Sequence, residues 1–345
     1  MIKKSKILIS LIITILAIVL VSGSIFFYSF LIPNVRTNDR DLFVYIYPNH
    51  TVNQVINEID KIAKIKNHFT FNLVAKALKY TDGKVRAGRY EISDGMSNLT
   101  LIRKLRNGEQ TPVKLTFNNI RTKEQLAVRL SEQIIADSLS IITLLNDTNY
   151  LKPLNLTPET AITIFVPDTY QMYWTTDAKS LFQKMEKEYH AFWNEQRLTK
   201  AKQIPLTPQE VVTLASIVEE ESRYQPELST IAGLYINRLR KGMKLQADPT
   251  LKYASLDFKA QRLVESHIKV DSPYNTYHVY GLPPGPIRIA SKNAIDAVLN
   301  YAHCDYLFMC AKETFDGTHN FEVSYTEHLK NARRYQQALN QRNIK

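Results

Sequence analysis

Cysteine and glycine are scarce, two and ten among 345 residues, and each scarcity removes a class of function. The two thiols, Cys304 and Cys310 around the apolar run DYLFMC, do not form a paired-cysteine metal site. The eight histidines never fall into HExxH, so no metal is expected. DYLFMC reads as a strand, and whether its thiols stay reduced or pair in an oxidising compartment is left open by their spacing. The few glycines make neither a P-loop nor a GxSxG elbow, so nucleotide and nucleophilic-serine chemistry lose their usual markers and no cofactor is expected. Acidic residues are also under-represented: 33 against 44 Lys and Arg, a formal charge of +11. The basic residues are dispersed and lack any finger, helix-turn-helix or RNA-binding signature, which excludes nucleic acid as the expected partner. An anionic lipid or wall polymer is the fitting counterpart.

What is present begins with a basic tail, 1–6, carrying Lys3, Lys4 and Lys6. An apolar run without a charge follows, 7–32, ending at Pro33. It is long enough to cross about 30 Å of hydrocarbon. A cleaved signal peptide is the competing reading, but the run exceeds a typical signal-peptide core and shows no clear small-x-small cleavage site, so an uncleaved transmembrane helix is favoured. Beyond it Arg36, Asp39, Arg40 and Asp41 nearly cancel, which places the N-terminus in the cytoplasm and the rest of the chain outside. Residues 33–41 read as a linker.

One pattern then recurs. IYPNHTVNQVINEI (Ile46–Ile59) aligns without gaps on ISDGMSNLTLIRKL (Ile92–Leu105), and more faintly on FNNIRTKEQLAVRL (Phe117–Leu130). Each copy predicts a strand end, a turn, a Ser or Thr helix cap (Thr51, Ser97, Thr122) and a short amphipathic helix. With RAGRYEIS (Arg86–Ser93) supplying a strand, 42–115 is expected to be a compact module. Residues 116–207 connect it to a third stretch, 208–345. The fold class is α+β, helix-rich toward the C-terminus.

The densest signal is SIVEEESRYQP (Ser216–Pro226). Thr207-Pro208 starts a helix that should run to near Arg223. Carboxylates at a helix C-terminus oppose the macrodipole by about 0.3–1 kcal/mol each, so three in a row serve something other than helix stability. Residues three, four and seven before Glu221 are Val218, Ile217 and Leu214, which puts Glu221 on the apolar stripe. Glu219 and Glu220 have mixed neighbours. A carboxyl among aliphatic side chains keeps its proton to higher pH, as a general acid requires. On spacing alone a solvated acidic helix end remains the alternative. Downstream, Pro226 opens a second helix closed by Lys241-Gly242, and Asp248-Pro249 starts another, with Asp248 expected to cap it. SPYNTYHVYGLPPGPIRIAS (Ser272–Ser291) reads as a long loop; Ser291 caps a further helix. Ser324-Tyr-Thr-Glu327 reads as a capping box.

LASIVEEES (Leu214–Ser222), YINRLRKGMKLQADPTLKYA (Tyr235–Ala254), YNTY (Tyr274–Tyr277) and GLPPGPI (Gly281–Ile287) resemble the YceG-like family of endolytic murein transglycosylases. PDTYQMYW (Pro167–Trp174), RAGRYEIS with GMSNLTLIRKLRNG, and the N-terminal anchor add to the resemblance, whereas 130–163 and 175–207 show none. It implies a LysM-like module at 42–115, a catalytic domain at 208–345 and cleavage of nascent peptidoglycan strands to 1,6-anhydro ends, ending glycan elongation. Murein strands, the inner membrane and cell-wall synthases are the implied partners. The catalytic glutamate falls on Glu221. Glu219, Ser222, Gln246, Asp248, Asn275 and Thr276 are carried over as candidates for substrate contact, with Tyr274 and Tyr277 as stacking faces for sugars. Glu220 has no counterpart and is expected to be solvated. Two other readings stand beside this one: a non-catalytic glycan-binding scaffold for wall synthesis, and a muramidase using water and a second carboxylate such as Asp248.

Overall fold

Helix α1 (Ile2–Leu31) carries the apolar run: Lys6–Leu31 has hydropathy 2.7, and its residues up to Tyr28 are exposed, whereas Ser29 near its end is buried. At about 1.5 Å per residue, its 26 residues reach about 39 Å, sufficient for a single membrane crossing. The computed structural model describes residues 2–38, 40–260 and 263–342. Met1 and Asp39, both read above as membrane-flanking, lie outside them, as do 343–345. The chain folds as two compact units. The first holds residues up to Lys114 together with Tyr170–Thr176; the second holds Leu115–Thr169 and Asp177 onward.

In the first unit, β1 (Val35–Arg36), β2 (Leu42–Ile46), α2 (Val52–Ile62), β3 (Lys64–Ile65), α3 (His68–Ala77), β4 (Gly88–Ile92), α4 (Asn98–Asn107) and β5 (Val113–Leu115) follow α1. β2 and β4 pair antiparallel, Leu42 opposite Ile92 and Ile46 opposite Gly88, and β1 pairs with β3. The caps form as the repeat predicts. Thr51 and Ser97 accept from Gln54 N and Thr100 N, and α4 stops at Gly108, whose φ of 73° suits a residue without a Cβ. Val44, Ile46, Val55, Ile59, Phe71, Tyr90, Ile92, Leu101 and Leu105 close one core. Asn98, buried, accepts from Asn34 Nδ2 (2.8 Å) and donates to the carbonyl of Ser29 (2.9 Å), fixing the end of α1 to the unit by hydrogen bonds. β6 (Tyr170–Met172) completes it by pairing with β5.

The second unit begins with α5 (Lys123–Ser131), capped by Thr122, then α6 (Ser138–Asn146) and α7 (Thr148–Leu151). After β6 come α8 (Ala178–Phe192) and α9 (Glu195–Gln203). Phe165 packs edge-on against Phe117 and Phe182 in its core. Helix α10 (Pro208–Glu221) starts on a full capping box, Thr207 with Glu210, and every residue from Val211 to Val218 is buried. A helix apolar all round is enclosed by others; here these are α11 (Leu228–Arg240), α12 (Asp248–Ala254) and α14 (Lys292–Leu299). α10 ends two residues before the predicted Arg223, because Ser222 turns extended. Gly233 on α11 lies so close to the carbonyl of Ala302 that a Cβ would stand 2.3 Å from its oxygen, which only glycine permits. After α13 (Glu265–Ile268), the 272–291 loop docks on α10 where Ile287 N donates to the buried Ser216 hydroxyl (3.0 Å). The hairpin β7 (Phe308–Ala311) and β8 (His319–Glu322) and helix α15 (Tyr325–Gln341) end the fold. Ser324 caps α15 by accepting from Glu327 N, but the Glu327 carboxylate takes Lys330 instead of completing the predicted box. Both cysteines are free and half-buried.

Candidate active site

Glu221 is the last residue of α10, at the end where unsatisfied carbonyls gather. It lines a cavity of about 560 Å³ together with Tyr235 and Arg238 of α11, Gln246, Asp248, Tyr277 and His319. Leu234, Leu245 and Phe308 give the walls their apolar part. The Tyr235 hydroxyl, buried, donates to Glu221 Oε1 at 2.5 Å. Burial pushes the Glu221 carboxyl up to about 7, while the Tyr235 bond pulls the other way. Asp248 adds to the rise and Arg238 opposes it. Near neutral pH the acid and its carboxylate are therefore both populated. The Tyr235 hydroxyl engages Oε1, so a proton on the Glu221 carboxyl belongs on Oε2.

Arg238 is buried, yet its guanidinium bonds to carbonyls rather than to a carboxylate: Nε to Leu307 (2.6 Å) and Nη1 to Leu245 (2.7 Å). Burial lowers its affinity for the proton. Gln246 adopts φ of 50° and its N–H donates to the carbonyl of Thr276 (3.0 Å). Asp248 does not cap α12. Ala247 occupies the N-cap position without a side-chain bond, and the Asp248 carboxylate instead accepts from the Tyr277 hydroxyl at 2.5 Å. The residue expected to be tied down by backbone N–H groups thus faces the same cavity as Glu221.

Within YNTY, only Tyr277 reaches that cavity. Asn275 and Thr276 are fully buried, with their polar atoms engaged inside the chain. Asn275 Nδ2 donates to the carbonyls of Ile268 and Val270, and its Oδ1 accepts from Tyr277 N. Thr276 Oγ1 accepts from Ala247 N and shares a bond with Thr250 Oγ1. These two residues set the backbone that carries Gln246, Asp248 and Tyr277. Tyr274 packs against Tyr253 with the rings tilted by 45° and their centroids 4.7 Å apart, and it is not among the residues that line the Glu221 cavity.

The other two glutamates point elsewhere, as about 100° of rotation per helical residue requires. Glu219, Glu220 and Ser222 line a second cavity, of about 740 Å³, which also takes in Arg121 and Arg288. Glu219 accepts from Ser291 N (2.9 Å). Glu220 is not solvated: its side chain is 17% exposed and accepts from Arg121 (2.8 Å) and Arg288 (2.6 Å), which neighbours distant in sequence supply. Ser222, buried, accepts from Tyr224 N. Among the described residues no group of three His, Cys, Asp or Glu could hold a metal ion.

Sequence reasoning missed Tyr235, Arg238 and His319. Tyr235 and Arg238 did leave a trace, since both lie within the quoted Tyr235–Ala254 motif and share, three apart, one face of α11. His319 left none, because the hairpin that presents it is far from Glu221 along the chain.

The profile of the YceG-like family matches residues 44–334. The chain is 27% identical over 329 residues to the endolytic murein transglycosylase of Bacillus subtilis (strain 168), covering 90% of this chain and 89% of that protein. To the endolytic murein transglycosylase of Streptococcus pneumoniae (serotype 2 strain D39) it is 25% identical over 350 residues, covering 90% of this chain and 62% of the relative. A crystal structure of a yceG-like protein from Listeria monocytogenes superposes with a TM-score of 0.55 at 25% identity, covering 85% of this chain and 99% of that one.

Proposed function

The chain belongs to the YceG-like family, and from that premise we propose an endolytic murein transglycosylase in which Glu221 performs both proton transfers. The observation that carries this reading is the Glu221 carboxyl, raised to about 7 by burial at the wall of a cavity and held on one oxygen by Tyr235. In its acid form Glu221 protonates the oxygen leaving C1 of N-acetylmuramic acid. The C1–O bond breaks and the sugar becomes oxocarbenium-like. Glu221, now a carboxylate, accepts the proton of the same sugar's 6-hydroxyl as O6 bonds to C1. No water is consumed, and the product carries a 1,6-anhydro end. Because the nucleophile belongs to the substrate, its effective concentration is that of an intramolecular reaction. Tyr235 and Arg238 steady the carboxylate between the two transfers. Asp248, held by Tyr277, places negative charge beside the developing cation, while Gln246 and Tyr277 offer contacts for N-acetyl and hydroxyl groups. Asn275 and Thr276 position this wall.

The apolar helix and its basic flank support a cytoplasmic N-terminus with the chain beyond Pro33 on the far side. There a LysM-like module at 42–115 orients the strand and cell-wall synthases supply it, so that cleavage ends elongation. One observation favours a second reading, a muramidase: Asp248 shares the cavity with Glu221 and makes no cap bond that would disable it as a base. Digestion of purified glycan in ¹⁸O-labelled water decides between them by mass spectrometry. Anhydro-muramyl ends without label are expected. Label at C1, lost in Asp248→Asn, would replace the transglycosylase by the hydrolase.

A further inference from the structure

The second cavity lies at the C-terminal end of α10. Ser222, which lines it, directly follows Glu221, which lines the first, so the two cavities flank one helix terminus. Four cations, Arg121, Arg223, Lys252 and Arg288, stand around it against two carboxylates, Glu219 and Glu220. The carboxylates do not use all of that charge. Glu220 engages Arg121 and one end of Arg288. Arg288 Nε is buried without a hydrogen-bond partner, Glu219 Oε2 standing 3.7 Å away. Among the described residues neither Arg223 nor Lys252 forms an ion pair or side-chain hydrogen bond, although Lys252 is half-buried. A polar cavity with surplus positive charge and an unsatisfied guanidinium N–H is built to receive an anion, because such donors bind carboxylates through charge-assisted hydrogen bonds.

Murein itself supplies that anion beside the scissile bond. Each N-acetylmuramic acid bears, on its lactyl ether, a short peptide stem that carries free carboxylates. We infer that this cavity takes a stem-peptide carboxylate of the strand whose glycosidic bond lies at Glu221, with Arg223, Lys252 and Arg288 Nε as its donors. The inference rests on the reading of the chain as an enzyme acting on murein. It makes peptide-bearing strands the preferred substrate over strands stripped of their stems.

Calorimetric binding of a free stem tripeptide to the full chain in detergent tests this without any cleavage step. Loss of a charge-assisted hydrogen bond should weaken binding about tenfold or more. That weakening is expected when the peptide's carboxylates are converted to amides, and again in the double variant Lys252→Glu/Arg223→Glu. Lys252→Gln serves as a milder variant, and unchanged melting temperatures show that the variants fold. Undetectable binding to the wild type, equal binding of the amide, or unaltered affinity in the variants would overturn the inference. So would displacement of the peptide by an equal concentration of inorganic phosphate, which would assign the site to a phosphate group instead. Strands cleaved to anhydro ends without peptide binding would sink the inference alone; peptide binding without cleavage would sink only the catalytic reading.

Discussion

The chemistry proposed for Glu221 depends on its being both acidic enough to protonate a leaving group and basic enough to recover a proton. Glu221→Gln keeps the shape and removes both capacities, so cleavage of glycan strands should fall about 10²–10⁴-fold. Wild-type rates in that variant would refute the assignment. The same carboxyl carries a pH signature. Its folded value of about 7 lies above the ordinary 4.5. Its contribution to stability is therefore complete below about 4.5 and is lost as pH rises through about 7. Thermal melts should show Glu221→Gln gaining on the wild type between pH 5 and 8, and wild-type cleavage should decline on the alkaline side of about 7 as the acid form disappears. Tyr235→Phe removes the one bond that favours the carboxylate. The alkaline limb should then move to higher pH while kcat drops by about tenfold, the worth of one charge-assisted hydrogen bond; an unmoved limb would mean that Tyr235 does not act on Glu221.

At the scale of elements, the end of α10 is held from outside. Arg288 from the 272–291 loop bonds Glu220 and Asn119, and Arg121 at the start of α5 bonds Glu220 from another side. One carboxylate thus ties two segments, the stretch before α5 and the 272–291 loop, to the helix that presents Glu221. Glu220→Gln leaves two half-buried guanidiniums short of a counter-charge and should cost about 1–3 kcal/mol of stability. Denaturant titration reads this directly, and a loss below about 0.5 kcal/mol would place the pair among surface bridges of little worth. The hairpin is secured in a comparable way. Glu227, six residues beyond Glu221, accepts from the backbone N–H of His319 (2.9 Å) and lies 3.0 Å from its Nδ1, holding β8 at the wall of the Glu221 cavity.

For the whole molecule, the asymmetry between a basic tail and a nearly neutral far flank predicts insertion with the N-terminus in the cytoplasm. A reporter enzyme fused after Lys345 should be active only when the fusion lies outside the cytoplasm. Resistance of the second unit to protease in spheroplasts would contradict that orientation. Within the first unit, the end of α1 is bonded through Ser29 to Asn98.

Features written in neighbouring residues were legible in the sequence. Thr51, Ser97, Thr122, Thr207 and Ser291 all cap their helices, since a cap needs only a side-chain oxygen and an N–H three residues on. The apolar stripe that isolates Glu221 was legible for the same reason, being a matter of helical spacing. Tertiary structure decided what depends on segments meeting. It turned Glu220 from a solvated charge into a braced one, because Arg121 and Arg288 lie 99 and 68 residues away. It moved Asp248 from a cap to the cavity through Tyr277, buried the polar atoms of Asn275 and Thr276, and brought Tyr235, Arg238 and His319 to Glu221. A carboxylate's partners are set by whichever donors the packed chain brings within about 3 Å, and local periodicity carries no record of that distance.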